Sequence, residues 1–179
     1  MSFLNFTFSF PVTLALAAFI PMIMGMIWYN PKVFGTAWLA SIGRTQEDMQ
    51  KGFKPAIAFP LAYLFSFFLA FALNFIVIHQ WHLFSMVVKQ PGFDDPNSPL
   101  GMQLADMFHK YGHNYRTFRH GAFHGTLAGI TFALPIVATN AIFERRGFKY
   151  AAINAGYWIV CCMLMGAFIC HFQTFTYSM

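Results

Sequence analysis

Four long stretches without a charged residue constrain the fold of this chain most strongly. None of them contains Lys, Arg, Asp or Glu, and a helix needs about 20 apolar residues to cross the hydrocarbon core of a bilayer. A helix also satisfies its own backbone hydrogen bonds, which lipid cannot do. We therefore predict an all-α integral membrane protein with four transmembrane helices, forming a single transmembrane domain over residues 1–179. The predicted spans are residues 8–29, 55–79, 121–143 and 150–172, and residues 80–120 form an outer loop.

The composition agrees with a membrane protein. Charged residues make up only 9% of the chain, against about 25% in a soluble domain. The net charge of +5 comes mainly from loop residues, where membrane orientation explains it, so no nucleic-acid partner is expected. The N-terminal MSFLNFTFSF carries no Lys or Arg before the apolar stretch, which predicts a retained first helix and not a signal peptide.

The basic residues are distributed unequally between the loops. The first and third loops, which lie on the same side of a four-span protein, hold seven of the eleven Lys and Arg residues. Basic loops of bacterial membrane proteins stay in the cytoplasm. This bias predicts cytoplasmic first and third loops, with both termini outside.

Two loop segments have the pattern of short helices. Residues 30–43 carry aromatic side chains between polar ones, which predicts an interfacial helix in loop one after Pro31. In loop two, apolar residues recur at helical spacing after Pro99, which predicts an amphipathic helix that lies on the outer surface or leads directly into span three. The apolar positions are Leu100, Leu104, Phe108, Tyr111, Tyr115 and Phe118.

A glycine ridge marks the third span. Gly121, Gly125 and Gly129 recur at every fourth position, so they share one face of a helix. Small residues let helix backbones approach closely in lipid, where no hydrophobic drive brings helices together. The ridge predicts close helix packing, and the spacing leaves open whether the partner helix belongs to the same chain or to another.

Histidines cluster on the predicted outer side. The pairs His109/His113 and His120/His124 each have the spacing that puts two imidazoles on one helix face. If one helix ran unbroken from Pro99 into span three, these residues would form one polar stripe with Asp106 and Arg116.

Three interpretations of this stripe remain open. Neutral imidazoles near a carboxylate could bind a metal ion. The histidines and Arg116 could instead bind an anionic lipid headgroup or respond to pH near 6.5. The simplest interpretation is that histidine suits the membrane interface and forms local hydrogen bonds. No metal motif such as HExxH occurs, so the metal hypothesis depends on clustering alone.

Several segments resemble a known family. These are GMIWYNPKVFGTAW, HGAFHGTLAGITFALP, FERRGFKY and INAGYW, which begin at positions 25, 120, 143 and 153. With the four-span layout, they resemble the small bacterial membrane proteins of domain-of-unknown-function family 1761. The resemblance implies a bacterial inner membrane location and no specific activity. It also implies a family pattern that includes Trp28, Tyr29, Pro31, Phe34, Gly35, Trp38, His120, Gly121, His124 and Gly125.

The residues favour a binding or structural role over catalysis. No catalytic residues are assigned, because the chain has no nucleophile motif or P-loop and no convincing pair of carboxylates. The first hypothesis is a non-enzymatic accessory or scaffold protein that packs through the glycine ridge, as a homo-oligomer or with a membrane-protein partner. The alternative is a protein that binds or transports a metal ion or an anionic lipid through its outer histidines.

Overall fold

The computed structural model describes residues 8–174, and within them it confirms an all-α membrane protein with four helices long and apolar enough to span a bilayer. The predicted location of both termini falls on tails that lie outside the described residues. The four spanning helices are Phe10–Trp28, Pro55–Val77, Phe118–Phe143 and Phe148–Phe172.

Over the described range, ten α-helical segments and one π-helical turn form these spans and parts of the loops between them. In chain order they are α1 (Phe10–Ala17), α2 (Phe19–Trp28), α3 (Gly35–Ile42), α4 (Gln46–Gln50), α5 (Pro55–Val77), α6 (Gln80–Val87), α7 (Pro99–Tyr111), α8 (Phe118–Ala128), the π-helical turn (Gly129–Ala133), α9 (Leu134–Phe143) and α10 (Phe148–Phe172).

Proline accounts for the interruptions in two spans. Span one is α1 and α2, which meet at Ala18, three residues before Pro21. Span three is α8 and α9 with the π-helical turn between them, and this turn ends two residues before Pro135, which lies in the first turn of α9. Proline donates no backbone hydrogen bond and its ring crowds the carbonyl four residues earlier, so the helix must bend or widen there.

Helix α10 is the central helix of the bundle. It contacts both halves of span one, α5 and all three parts of span three. In an apolar stretch of 18 residues of α10, 56% of the residues are buried, whereas the corresponding figure for α5 is 17%. The core around it contains buried residues from every span, including Leu14, Leu73, Ala128 and Met165.

The glycine ridge forms the tightest helix contact, and its partner is α10 of the same chain. A methyl group at Gly121 would overlap the carbonyl oxygen of Gly166, and one at Gly125 would overlap that of Cys162. At Gly129 an added Cβ would lie 2.6 Å from the Cα of Ile159. The ridge is therefore covered within the chain.

The short helices of the loops agree with the sequence in part. Helix α3 is the predicted helix of loop one, and α7 is the predicted amphipathic helix of loop two, with Leu104 and Phe108 buried. Helix α7 nevertheless ends at Tyr111, and the chain makes a non-helical turn over residues 112–117 before α8 begins. The outer helix is thus not continuous with span three.

Candidate functional site

Three histidines meet at one end of the bundle. The imidazole rings of His79, His120 and His124 have centroids 4.9 Å (His79–His120), 4.7 Å (His79–His124) and 4.5 Å (His120–His124) apart. One ring nitrogen from each lies within 4.8 Å of the other two. We call these three residues the histidine triad.

Helix α8 supplies two members of the triad. Its N-terminus is fixed by Thr117, whose side-chain oxygen accepts a hydrogen bond from the backbone N–H of His120 at 3.2 Å. His120 and His124 are one turn apart, so both rings leave the same face of α8. Each histidine directly precedes a ridge glycine, so close packing of the glycines on α10 fixes the direction of the imidazoles.

The third member reaches the triad through a corner at the end of α5. Helix α5 ends at Val77, and Ile78 has an extended backbone (φ −108°, ψ 95°) that turns the chain before His79. The next residue, Gln80, donates its side-chain amide to the carbonyl oxygens of Gly112 (2.8 Å) and Asn114 (3.2 Å). These bonds tie the non-helical turn before α8 to the corner that carries His79.

The donor set of the triad suits a transition metal. Three neutral imidazoles with an open fourth position are a common ligand set for zinc, and imidazole also suits copper and nickel. Zinc–nitrogen bonds of about 2.1 Å place tetrahedral ligand nitrogens about 3.4 Å apart, which is inside the 4.8 Å limit that encloses the three triad nitrogens.

Two further features of the triad fit such an ion. The Nε2 atom of His120 is buried and has no hydrogen-bond partner, and a buried polar atom of this kind needs a ligand or a water. Desolvation, followed by the charges of the neighbouring His124, His120 and His82, lowers the pKa of His79 below its usual value. His79 therefore favours the neutral form that ligates metals.

The structure brings together only part of the predicted polar stripe. His120 and His124 lie in the triad, whereas His109 is on α7 and His113 is in the turn after it, and neither belongs to the metal-ligand group within the described residues. Asp106 forms an exposed ion pair with Lys110 at 2.8 Å. The predicted stripe required an unbroken helix from Pro99 into span three. Because residues 112–117 form a non-helical turn, the stripe does not form.

Arg116, the remaining residue of the stripe, points elsewhere. Its guanidinium donates a hydrogen bond to the backbone carbonyl of Gln173, beside the end of α10. It therefore helps to join the turn before α8 to the end of α10.

His79 is the triad member that sequence spacing missed. It lies 41 positions before His120, and spacing alone relates residues only within one helix. The available signal was its location, directly after span two on the predicted histidine-rich side.

The aromatic residues of the predicted family pattern, Trp28, Tyr29, Phe34 and Trp38, lie at the opposite end of α10; we call them the aromatic motif. The indole N–H of Trp28 donates to the carbonyl of Ile153 (3.1 Å), and the Tyr29 hydroxyl donates to the side-chain oxygen of Asn154 (2.9 Å). Both acceptors belong to the segment INAGYW, so two of the segments that carry the resemblance contact each other directly. This contact attaches the end of α2 to the start of α10.

The rest of the motif closes the corner between α2 and α3. The ring of Phe34 packs on Trp28 with centroids 4.6 Å apart, and the ring of Trp38 packs on Tyr29 at 5.2 Å. A side chain at Gly35 would overlap the backbone of Tyr29 and Asn30. The motif after Pro31 is thus a packed corner of the fold.

The comparisons with known proteins give a family without an assigned activity. The family model described as "Protein of unknown function (DUF1761)" matches residues 12–170. No curated protein and no solved structure matches the chain. Since the matched residues cover nearly the whole chain, this protein belongs to the DUF1761 family.

Proposed function

We propose that this protein binds a divalent transition-metal ion through His79, His120 and His124 and acts as a non-enzymatic metal-binding accessory protein of the membrane. The convergence of three imidazoles, two from α8 and one from the corner after α5, carries this proposal. A metal ion held by protein needs three or four converging ligands, and the triad supplies three.

The surroundings of the triad support binding over catalysis. Within the described residues, the metal-ligand group contains no Asp or Glu that could serve as a general base. Asp106, the acidic residue of the predicted stripe, is paired with Lys110. The fourth coordination position of an ion bound by the triad would hold a water molecule or a ligand from another molecule. Such an open position suits a site that receives and releases the ion.

We further propose a bacterial inner membrane location with the triad on the non-cytoplasmic side. The end with loops one and three has seven of the eleven Lys and Arg residues, and the triad end has the other four. The positive-inside rule then favours a cytoplasmic location for the more basic end.

Metal titration of protein purified without a histidine tag tests the proposed function. We expect wild-type protein to bind one Zn²⁺ per chain, measured by elemental analysis and by competition with a chromophoric chelator. Replacement of any one ligand (His79→Gln, His120→Gln or His124→Gln) should weaken binding by about a hundredfold or more, because each ligand supplies a large share of the binding free energy.

The matched control is the double variant His109→Gln/His113→Gln. It removes two histidines from the same end of the molecule and leaves the triad intact, so Zn²⁺ affinity should stay within about twofold of wild type. If this control lost Zn²⁺ binding while the triad variants kept it, the metal site would lie at His109 and His113, and the proposal would be refuted. Absence of stoichiometric Zn²⁺ in wild type would refute it outright.

A scaffold role through self-association is the weaker candidate. The glycine ridge was its supporting feature, and the ridge is covered by α10 of the same chain. An oligomer would have to use the lipid-facing surface of other spans.

A further inference from the structure

A pocket at the basic end of the bundle has the composition of a lipid headgroup site. It has a volume of about 560 Å³ and lies between the segment that follows span one and the start of α10. Trp38 and Ile42 of α3 form one side, and Tyr150 of α10 forms another. We call it the basic pocket.

Three cations line the basic pocket against one carboxylate. The cations are Arg44, Lys51 and Arg146, and the carboxylate is Asp48. Asp48 is already engaged at the N-terminus of α4, where its side chain accepts hydrogen bonds from the backbone N–H (3.0 Å) and hydroxyl (2.8 Å) of Thr45. The lining therefore carries three positive charges and one negative charge, and Lys51 also pairs with Glu47 outside the lining at 3.6 Å, which leaves the two arginines as the cations for a ligand.

The two arginines keep donors available for a ligand. Among the described residues, Arg44 has no ion pair within 4.0 Å. Within the described part of the chain, the guanidinium of Arg146 has long polar contacts, 3.9 Å to the carboxylate of Glu144 and 3.5 Å to the carbonyl of Ile42. Its guanidinium carbon lies 5.7 Å from the centroid of the Tyr150 ring, which holds the planar group at the pocket wall. A planar guanidinium binds phosphate oxygens through two parallel hydrogen bonds.

The remaining wall is apolar and lies at the level of the membrane surface. Phe53 is 52% exposed and Met49 is 40% exposed, and both line the pocket. Phe53 precedes the first residue of α5 by two positions, and Tyr150 lies in the first turn of α10. Two spans thus begin beside the pocket, which puts it where headgroups meet acyl chains.

We propose that the basic pocket binds the phosphate of an anionic phospholipid, with Arg44 and Arg146 on the phosphate and Phe53 and Met49 beside the upper part of the acyl chains. A soluble phosphate would use the same cations but would gain nothing from the apolar wall. Basic pockets between transmembrane helices are a recurring binding mode for anionic headgroups. The site is independent of the histidine triad, which lies at the other end of the bundle.

Lipid titration of delipidated protein in a nonionic detergent tests this site. Native mass spectrometry would count bound phosphatidylglycerol and phosphatidylcholine, and we expect phosphatidylglycerol to bind at least about tenfold more tightly. The variant Arg44→Gln/Arg146→Gln should reduce phosphatidylglycerol binding to the phosphatidylcholine level. The control Lys54→Gln/Lys149→Gln removes the same charge from the same two loops outside the pocket lining and should stay within about twofold of wild type.

Three outcomes would overturn the proposal. Equal losses in the pocket and control variants would show binding by net surface charge alone. Displacement of phosphatidylglycerol by inorganic phosphate would show a site for a soluble anion. Equal binding of the two lipids would show no headgroup recognition. Should the double variant fold poorly by circular dichroism, Arg44→Gln, at an exposed side chain without an ion pair, gives the same comparison against Lys54→Gln.

Discussion

Gly125 lies where the backbones of α8 and α10 touch, and it has no room for a side chain. A methyl group there would overlap the carbonyl oxygen of Cys162, so the two helices would have to separate. We expect Gly125→Ala to lower the free energy of unfolding by about 1–3 kcal/mol, as overpacking does in tight cores. Reversible unfolding in mixed micelles would measure this change.

The control for this substitution is Gly25→Ala. Gly25 is also within a spanning helix, but its added Cβ would lie 3.6 Å from the hydroxyl of Tyr157, an ordinary contact. Alanine is favoured over glycine in a helix by about 1 kcal/mol, so this variant should be neutral or slightly more stable. Equal destabilisation of both variants would contradict a specific role for the ridge.

The glycine spacing was sufficient to predict close packing on one face of span three, because that face is a property of one helix. It could not identify α10 as the partner, since spacing describes only one side of a contact. The same reasoning explains the triad. His120 and His124 share a helix face and were predictable as a pair. His79 comes close to them only because the end of α5 lies beside α8 in the folded chain, which spacing does not show.

One buried hydroxyl contributes to the contact between α10 and α2. Tyr157 donates a hydrogen bond of 2.7 Å to the carbonyl of Pro21, beside the interruption in span one. Tyr157→Phe removes the donor and leaves the ring, so we expect the free energy of unfolding to fall by about 1–2 kcal/mol. The same unfolding assay would measure it.

An exposed tyrosine gives the comparison for this loss. Tyr111 is 58% exposed at the end of α7, and Tyr111→Phe should change stability by less than about 0.5 kcal/mol. If Tyr157→Phe is as stable as Tyr111→Phe, the hydrogen bond to Pro21 contributes nothing to the association of these helices.

Spanning helices were predictable from the sequence because length and absence of charge are sufficient in lipid. The end of α7 at Tyr111 was not predictable in this way. Its apolar stripe continues in sequence through Tyr115 and Phe118, but Tyr115 adopts a left-handed backbone (φ 61°) and the turn is tied to Gln80. Those bonds come from another part of the chain, so no local pattern indicates them.

Most of the basic residues of the molecule lie at one end, and this asymmetry predicts the orientation of the protein in the membrane. In intact cells, a cysteine introduced by Lys110→Cys in loop two should react with a membrane-impermeant maleimide. One introduced by Lys149→Cys, in the first turn of α10, should react only after lysis, because the end with seven of the eleven basic residues is expected to be cytoplasmic. Labelling would be measured by a gel shift.

The native cysteines provide the background for that experiment. Cys161, Cys162 and Cys170 are all buried, so wild-type protein should remain unlabelled in intact cells. Labelling of Lys149→Cys before lysis, with Lys110→Cys protected, would reverse the orientation and put the triad in the cytoplasm.

The most buried of the four described spans, α10, is synthesised after the other three. Until α10 leaves the ribosome, the glycine face of α8 lacks the helix that covers it, and α5 lacks one of the helices it packs against. A nascent chain with three inserted spans is therefore an incomplete bundle, exposed to wrong partners and to membrane proteases. Quality control of this protein during biogenesis would consequently act on a late event, the arrival of the fourth helix between the other three.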